Sequence, residues 1–423
     1  MAYKRQAETL REVQRRSKQL ERSVTDIVSN EGIPIRGGQG IQVRYAEFHE
    51  RATLQVDGVI PNEEQPETVL FVTYTDPDKP GHSNENKLHL KLGELYLFKT
   101  YYQGLRCVLV VGERQEAWLQ YVLEVFKIFF DRVVFTWESN FKGNLIGALR
   151  CDLKNESFWH AESKRRRSID LATDESLPPT SDLRWQFYEK VIPKYLGIDE
   201  PNLIDHPTLR KMAVAAKDTY ERSGGTQGLF WKHLKNKDYK AIWQERSYFN
   251  PLEFTAEYLL EEKKLDHTRT PRIPTLLADF GIKEARSAED FGLYSERRNS
   301  PVYIQCKASG GGEEQHGKAV MNRSKEQIAR SLLYRCRKVD SDIVSVGDNF
   351  IWLTVLDGNW RIPQRYPLKY LHMLQIAGYE RIFKATDLVG EPDLRPKKDC
   401  PLTNYLEQLK CKKVTQERIK SYF

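Results

Sequence analysis

Segments of strand length and segments with helical periodicity alternate in the first and last thirds of the chain, and this alternation constrains the fold more than any other feature. In the first third, apolar β-rich runs over 68–75 and 106–111 are separated by a helical pattern over 88–100. In the last third, a strand pair precedes a long helical pattern over 318–337 and an apolar run over 350–356. Such an order is typical of α/β folds, in which helices cover a sheet.

The length of 423 residues allows two or more buried cores, and the patterns predict a multidomain α/β protein of three segments. Residues 1–150 are expected to form an N-terminal α/β domain, residues 151–250 a helical basic connector or recognition module, and residues 251–423 a C-terminal α/β domain. The middle segment is distinguished by its aromatic and cationic residues and by the break at Pro178-Pro179.

The composition excludes several classes of protein. With 40% hydrophobic and 30% charged residues, the chain is neither fibrous nor fully disordered, and its net charge of +7 is a weak indication of a polyanionic partner. No apolar run approaches the roughly 18 residues needed to cross a bilayer. The six cysteines are scattered without a Cys-x-x-Cys pair. We therefore expect a cytoplasmic protein with free thiols and no membrane partner.

Three polar side chains stand at the ends of a predicted hairpin in the C-terminal segment. Asp290 begins the first strand, and Gln305 and Lys307 end the second, after the apolar run 302–304. Because side chains alternate along a strand, Gln305 and Lys307 share one face and Cys306 lies on the other. The alternative is a surface hairpin with solvated side chains, but the apolar run favours a buried strand, where a lysine needs a partner.

The oxygen atoms of this hairpin suit a hard cation. The carboxylate of Asp290, the amide oxygen of Gln305 and the backbone carbonyl of Cys306 are ligands of the kind that Mg²⁺ prefers. A lysine beside such an ion can hold the attacking water or assist its deprotonation. We therefore expect Mg²⁺ at this site, with Mn²⁺ as a substitute, and Lys307 as the residue that orients the water for phosphodiester hydrolysis.

The motif made by Asp290, Gln305 and Lys307 resembles that of the PD-(D/E)xK nucleases, with glutamine in the second acidic position. Three further segments, 307–318, 322–330 and 355–360, resemble those of type II restriction endonucleases, so the resemblance covers the last third of the chain well and the rest loosely. It implies a C-terminal restriction-endonuclease-like mixed sheet flanked by helices and Mg²⁺-dependent, site-specific hydrolysis of double-stranded DNA. The catalytic residues would be Asp290, Gln305 and Lys307.

Other carboxylates compete for the acidic positions of the motif. Asp279 lies on a predicted helix and cannot make the same hairpin with Gln305, so Asp290 is preferred. Glu284 and Glu289 are candidates for one further metal ligand. The glutamine removes one negative charge from the site, which predicts weaker metal affinity than a second carboxylate would provide.

Basic and polar side chains outside the motif are expected to contact DNA. On the long helix, Arg323, Gln327 and Arg330 recur at helical spacing and form one face. A solvated cationic surface is the alternative interpretation. The remaining DNA contacts are predicted for His316, Lys318, Lys164, Arg165, Arg166 and Arg167.

The N-terminal segment repeats the hairpin pattern around Asp57. Counting forward from Asp57 by the separations seen after Asp290 reaches Val72 and Tyr74, neither of which can bind a hard cation. We interpret this domain as a degenerate, non-catalytic copy of the nuclease-like fold that serves DNA recognition or dimerisation. The alternative is that this domain is the active one, using Asp57 with Asp76, Glu85 or Lys87.

The sequence therefore predicts a type II restriction endonuclease. Enzymes that cut both strands generally act as dimers or by two sequential nicks, so a homodimer is expected for a single catalytic centre per chain. One alternative is a DNA-binding protein without cleavage, in which Gln305 marks a lost active site. Another is an RNA-processing nuclease whose aromatic residues stack on unpaired bases, although an apolar core is the preferred interpretation of those residues. The aromatics concerned are Trp185, Phe187, Tyr188, Phe230, Trp231, Trp243, Tyr248 and Phe249.

Overall fold

The chain folds as a mixed α/β protein around two principal sheets, each covered by helices. A computed structural model provides the coordinates. The residues that it describes are 2–38, 40–44, 51–74, 81–102, 104–112, 117–169, 186–195, 207–222, 232, 236, 250–281, 289–309, 317–340, 342–345, 347, 349–358, 370–390 and 394–413.

Strands form where β-branched and aromatic residues are concentrated. The central strands of both sheets are buried along almost their whole length, as expected where helices cover both faces. In chain order the strands are β1 (Arg36–Gly37), β2 (Gly40–Arg44), β3 (Arg51–Gln55), β4 (Gly58–Ile60), β5 (Thr68–Tyr74), β6 (Arg106–Gly112), β7 (Arg132–Phe135), β8 (Thr268–Arg269), β9 (Phe291–Ser295), β10 (Ser300–Ser309), β11 (Cys336–Val339), β12 (Asp342–Ser345), β13 (Ile351–Gly358), β14 (Tyr379–Lys384), β15 (Val389–Gly390), β16 (Arg395–Pro396) and β17 (Cys411–Lys413).

The helices lie between the strands, and α1 begins the described chain. In the residues described, none of them has the length and apolar character needed to cross a membrane. In chain order they are α1 (Ala2–Asn30), α2 (Gly81–Tyr101), α3 (Ala117–Phe129), α4 (Phe141–Ala148), α5 (Glu156–Arg167), α6 (Ile192–Tyr195), α7 (Pro207–Arg222), α8 (Pro251–Glu262), α9 (Leu276–Asp279), α10 (Gly317–Arg335), α11 (Tyr370–Ala377), α12 (Ala385–Leu388) and α13 (Pro401–Gln408).

The two principal sheets have the same connectivity. In the first sheet, β4 and β5 form an antiparallel pair, α2 leads to β6 parallel to β5, and α3 leads to β7 parallel to β6. In the second sheet, β9 and β10 form the antiparallel pair, α10 leads to β13, and α11 leads to β14, again with parallel pairing. A short strand that precedes each hairpin, β1 or β8, also pairs antiparallel with its first strand. The same core order of elements is therefore built twice along the chain, although the second half also has the hairpin β11–β12 between α10 and β13, and the strand β17 beside β9.

Several predicted elements differ from the observed ones in their boundaries. The sequence pattern of residues 52–60 predicts one continuous strand, but these residues belong to two strands, because β3 pairs with β2 in a separate sheet while β4 joins the first principal sheet. The pattern of residues 274–280 predicts the helix that carries Asp279. The structure shortens it to the single turn α9, between the N-cap Thr275 and Gly281, which has a φ of 76°.

The two sheets pack against each other through α2 and α10 and share one apolar core. That core includes Leu92 and Phe126 beside the first sheet and Leu332 and Trp352 beside the second. The two helices meet at Gly93, where a Cβ atom would overlap the backbone carbonyl of Lys325, so only glycine permits this approach. The division into separate domains near residues 150 and 250 stays a prediction.

The middle segment does not form a core of its own within the described residues. Phe158 and Trp159 of α5 belong to the core shared by the two sheets. Phe187 and Leu209 pack instead with Leu252 of α8, in the cluster beneath the second sheet. The predicted connector is thus divided between the two sheets.

A buried ion pair connects α5 to α10. Both carboxylate oxygens of Glu162 accept hydrogen bonds from Nη1 of Arg335, at 3.0 and 2.8 Å, and each residue is only 1% exposed. Nε of Arg335 also donates to the hydroxyl of Ser331 at 3.0 Å. A buried guanidinium needs such partners, because transferring its charge out of water costs several kcal/mol.

Replacing Glu162 with glutamine should therefore destabilise the fold, because it leaves the charge of Arg335 buried without a counter-charge. We expect the free energy of unfolding to fall by about 3 kcal/mol, as measured by urea denaturation. Glu124→Gln is the matched control, since Glu124 forms an exposed ion pair with Lys127 and should contribute less than about 1 kcal/mol. Equal losses in the two variants would contradict the structural role of the buried pair.

Candidate active site

Asp290 immediately precedes β9 and contacts the backbone of the neighbouring strand β10. Its backbone N–H donates to the carbonyl of Ile304 at 3.0 Å, and its Oδ2 accepts from the backbone N–H of Cys306 at 2.5 Å. These two contacts place Asp290 opposite Gln305 on the neighbouring strand. The structure thus brings together the two strand ends that the sequence predicted to converge.

The predicted alternation along β10 is confirmed. Tyr303 belongs to the core shared by the two sheets, on the side of α10 and α11, whereas Ile304 and Cys306 belong to the cluster on the opposite face. The side chain of Gln305 reaches Tyr379 on the side of Tyr303. The thiol of Cys306 therefore lies on the face of β10 opposite the amide of Gln305.

The amide of Gln305 is already engaged by the protein. Gln305 is 1% exposed, and its Oε1 accepts a hydrogen bond of 2.6 Å from the hydroxyl of Tyr379. Tyr379 also lies 3.0 Å from Oε1 of Gln327, and its ring stacks on Trp352 with the centroids 3.9 Å apart. Gln327, predicted to face DNA, is thus buried in a polar network inside the protein.

Lys307 has the pKa expected of a lysine that can lose its proton near neutral pH. Burial and the positive charge of Arg330 lower its pKa to about 8, while the carboxylates of Asp290 and Glu289 oppose this shift. An uncharged amine can accept a proton, which an ordinary lysine ammonium cannot do at this pH.

Asp290 shows the opposite shift. Burial and the negative charge of Glu253 raise its pKa to about 7, although the N–H of Cys306 and the charge of Lys307 favour the carboxylate. Glu253 is carried by α8, which packs against the second sheet. A carboxyl group crowded by other carboxylates is a site where added positive charge is stabilised.

Glu289 is turned into the core. It is 1% exposed, and its carboxylate accepts from Nε1 of Trp352 at 2.7 Å and from the hydroxyl of Tyr334 at 3.4 Å. Burial raises its pKa. Among the other carboxylates considered from the sequence, Asp279 accepts from the backbone N–H of Lys338 in β11 at 3.0 Å, and Glu284 lies outside the described residues.

Two carboxylates near the site were missed from the sequence. Glu253 approaches Asp290, and Glu326 of α10 lies near Lys307 and Arg330. Burial raises the pKa of Glu326, and the neighbouring cations partly counteract the shift. Their proximity depends on how α8 and α10 pack against the sheet, for which the local sequence provides no signal.

The donor atoms at the strand ends fit a hard cation with a single charged ligand. Over the described part of the chain, no three His, Cys, Asp or Glu side chains are grouped so that they could hold a metal ion. Asp290 nevertheless provides a carboxylate whose repulsion by Glu253 and Glu289 a divalent cation would relieve. The groups that would hold it are the carboxylate of Asp290 and the backbone carbonyl of Cys306.

The basic residues predicted to contact DNA differ in their exposure. Arg323 is exposed and donates to the carbonyl of Ala308 at 2.6 Å, and Lys164 and Arg167 are exposed on α5. Arg330 is half-buried and acts on Lys307. The others are engaged internally or undescribed: Arg165 donates to the carbonyl of Ile376 at 3.1 Å, Arg166 lies 3.7 Å over the ring of Tyr101, and the side chain of Lys318 and all of His316 lie outside the described residues.

Among the aromatic residues of the middle segment, the side chain of Phe187 is described, and it is 1% exposed in the core beneath the second sheet. This agrees with the preferred interpretation of that residue. The other seven side chains, those of Trp185, Tyr188, Phe230, Trp231, Trp243, Tyr248 and Phe249, lie outside the described residues.

Asp57 occupies in the first sheet the place that Asp290 occupies in the second. Its N–H donates to the carbonyl of Leu70 at 3.2 Å, and its Oδ2 accepts from the N–H of Val72 at 2.7 Å. Asp290 makes the same pair of contacts, to a carbonyl of its partner strand and to the N–H two residues further along. The backbones around the two aspartates are therefore equivalent.

The side chains that follow are not equivalent. Phe71 stands at the position of the amide, and Thr73 at the position of the amine. Counting along the sequence reached Val72 and Tyr74 instead, because the first hairpin is one residue shorter, with a separation of 15 rather than 16 from the aspartate to its N–H donor. Neither a phenyl ring nor a threonine hydroxyl can replace a metal-binding amide or a catalytic amine.

A lysine from α2 binds the carboxylate of Asp57. Nζ of Lys91 lies 2.8 Å from Asp57 and 3.2 Å from Glu94. Burial disfavours the charge of Lys91, but the two carboxylates outweigh this and raise its pKa. Of the partners considered for an active N-terminal site, Lys87 donates to the carbonyl of Tyr74 at 2.9 Å, and Asp76 and the side chain of Glu85 lie outside the described residues.

Removing the charge of Glu253 tests the electrostatics of the site. In the metal-free protein, Glu253→Gln should lower the pKa of Asp290 below about 7, because a like charge is removed. NMR titration of ¹³C-labelled aspartate side chains measures this shift. Glu257→Gln is the matched control on the same helix, since Glu257 binds Arg269 at 3.1 Å and should leave Asp290 unchanged. Identical titration of Asp290 in the wild type and Glu253→Gln would refute this description.

Comparisons of the chain with protein-family models, with curated proteins and with solved structures find no match. The function of the chain is therefore inferred from the contacts and charges of its own residues. The central features are Asp290 and Lys307 in the second sheet. The pKa of the aspartate is raised to about 7, and that of the lysine is lowered to about 8.

Proposed function

We propose that this chain is a Mg²⁺-dependent endonuclease that hydrolyses double-stranded DNA, of the type II restriction endonuclease class. The observation that carries the proposal is the meeting of Asp290 and Lys307 at one hairpin end, with pKa values of about 7 and about 8. Perturbed groups of opposite charge in a partly buried site are typical of catalytic centres.

The architecture of the second sheet supports the resemblance to PD-(D/E)xK nucleases. Helix α8 precedes an antiparallel hairpin, and α10 leads to a strand parallel to the second strand of that hairpin. The aspartate stands on the first strand of the hairpin, and the glutamine and lysine stand on the second. We therefore propose a restriction-endonuclease-like fold for the C-terminal half and a degenerate copy of it for the N-terminal half.

The residues of the site would divide the work of hydrolysis. Asp290 would hold the metal ion, which would supply positive charge to the phosphoryl oxygen and to the leaving group. Lys307 holds the attacking water, and in its uncharged form its amine accepts a proton from that water. Arg330 favours this uncharged form by lowering the pKa of Lys307. Gln305 acts with Tyr379 to fix the end of β10.

Exposed cations would bind the phosphate backbone of the DNA. Lys164, Arg167 and Arg323 are exposed, whereas Arg166 is 6% exposed and stacked on Tyr101. Affinity for duplex DNA should therefore fall with increasing salt, with a slope of roughly 0.9 for each phosphate that is neutralised.

A second candidate function is a cytoplasmic DNA-binding protein without cleavage. It is favoured by the hydrogen bond between Gln305 and Tyr379, which occupies the amide oxygen at the position of the second acidic residue. The two functions differ in the effect of Mg²⁺ on supercoiled DNA, because an endonuclease breaks it and a binding protein leaves it intact.

Lys307→Ala should bind duplex DNA with the affinity of the wild type but cut it at least about 100-fold more slowly, because the group that positions and deprotonates the water is lost. Gel-shift and plasmid cleavage assays measure the two effects. Lys307→Arg should fail in the same way, since a guanidinium does not lose its proton.

Lys412→Met is the matched control. Lys412 lies in the same sheet, on the exposed edge strand β17, where it pairs with Glu296, and its loss should leave the cutting rate unchanged. Full activity of Lys307→Ala would remove the proposed mechanism, and failure of the wild type to break DNA with Mg²⁺ would favour the binding protein.

A further inference from the structure

The two sheets meet through corresponding helices. Helix α2 follows the hairpin of the first sheet and α10 follows that of the second, and these two helices pack directly on each other at Gly93. Contact between corresponding elements is the arrangement found in a symmetric dimer, where one surface patch binds its own copy. Here both copies of the pattern belong to one chain.

The side chains of these helices also interact in both directions across the contact. Nζ of Lys325, the ninth residue of α10, lies 2.7 Å from Glu94, the fourteenth residue of α2. The ninth residue of α2 is His89, and the fourteenth of α10 is Arg330. Burial and the positive charge of Arg330 lower the pKa of His89 to about 3, so these two residues interact electrostatically between the same two helices.

The two halves differ where the chemistry would occur. In the second sheet, Lys307 stands beside Asp290. In the first sheet, the corresponding position is Thr73, and the carboxylate of Asp57 is bound by Lys91. The ammonium group of Lys91 thus neutralises Asp57, at the place where a metal ion would bind Asp290 in the second sheet.

We propose that one chain is an internal pseudo-dimer that engages a single duplex through both halves and hydrolyses only one strand, at an asymmetric sequence. This inference rests on the proposed nuclease function. In a homodimer with a two-fold axis, each of two identical centres reaches one strand. Here the second centre is replaced by the N-terminal half, so the chain needs no second copy to place its one active site, in contrast to the homodimer expected from the sequence.

The reaction would break one phosphorus–oxygen bond in each encounter. The oxygen of water forms a new bond to phosphorus, and the bond from phosphorus to the leaving sugar oxygen breaks. Lys307 takes one proton from the attacking water and releases it to solvent, and the leaving sugar oxygen takes up one proton from solvent water. The product is a duplex with a nick in a defined strand, and no oxidant or further reactant is required.

Digestion of a supercoiled plasmid by the full-length wild-type chain with Mg²⁺ tests the proposal. Nicked circles should accumulate before any linear DNA, and sequencing of the new ends should place the breaks in one strand with a constant orientation to the recognised sequence. Mass photometry with a short duplex that carries the site and with Ca²⁺ in place of Mg²⁺ should show one chain per duplex.

The possible failures separate the two proposals. If both strands are cut at one position without a nicked intermediate, or if two chains bind each duplex, the pseudo-dimer is overturned while the nuclease function stands. If no DNA is broken under any of these conditions, the proposed function itself fails, and the inference with it.

Variants at the equivalent aspartates provide the matched comparison. Asp290→Asn should lose all cutting, whereas Asp57→Asn should nick the same strand as the wild type, because its amide oxygen still accepts from the N–H of Val72. Thr73→Ala, a smaller change at the position that corresponds to Lys307, should also nick that strand. A folded Asp57→Asn that has lost cutting would assign the chemistry to the N-terminal half and overturn the proposal.

Discussion

The close contact of α2 and α10 at Gly93 is the constraint on which the rest of the molecule depends. It brings Lys325 of α10 onto Glu94, and Glu94 also binds Lys91, so that a chain of buried charges runs from α10 to Asp57 beside the first sheet. Each charge in this chain has an opposite charge beside it, which offsets the cost of removing it from water. Any side chain larger than hydrogen at position 93 would separate the helices and break the chain of charges.

The two halves share the backbone geometry around one aspartate, and they differ in the side chains beside it. The aspartates 57 and 290 are held by the same pair of backbone contacts. Beside Asp57, the ammonium group of Lys91 forms an ion pair with the carboxylate. Beside Asp290, other carboxylates and burial raise the pKa, and the nearby amine of Lys307 has a lowered one. The aspartate of the first sheet is therefore paired with a cation, whereas burial and neighbouring like charges disfavour the charged forms of Asp290 and Lys307 in the second sheet.

Local patterns were sufficient for the part of the site that lies within one hairpin. Strand period placed Gln305 and Lys307 on one face, and the polar turn placed Asp290 opposite them. The contacts of Tyr379, Glu253 and Gly93 join segments far apart in the chain, and they depend on packing that no local pattern encodes. The positions of Phe71 and Thr73 were missed by one residue, because counting assumes hairpins of equal length and the two differ.

The covalent link between the two halves changes how their interface behaves. Two separate subunits come apart on dilution, because their association depends on concentration. Halves that are joined in one polypeptide remain neighbours at any dilution, since the chain maintains a fixed effective concentration of one for the other. The ionic bond from Lys325 to Glu94 is therefore intramolecular, and the geometry around it persists at the few molecules per cell at which a subunit pair would dissociate.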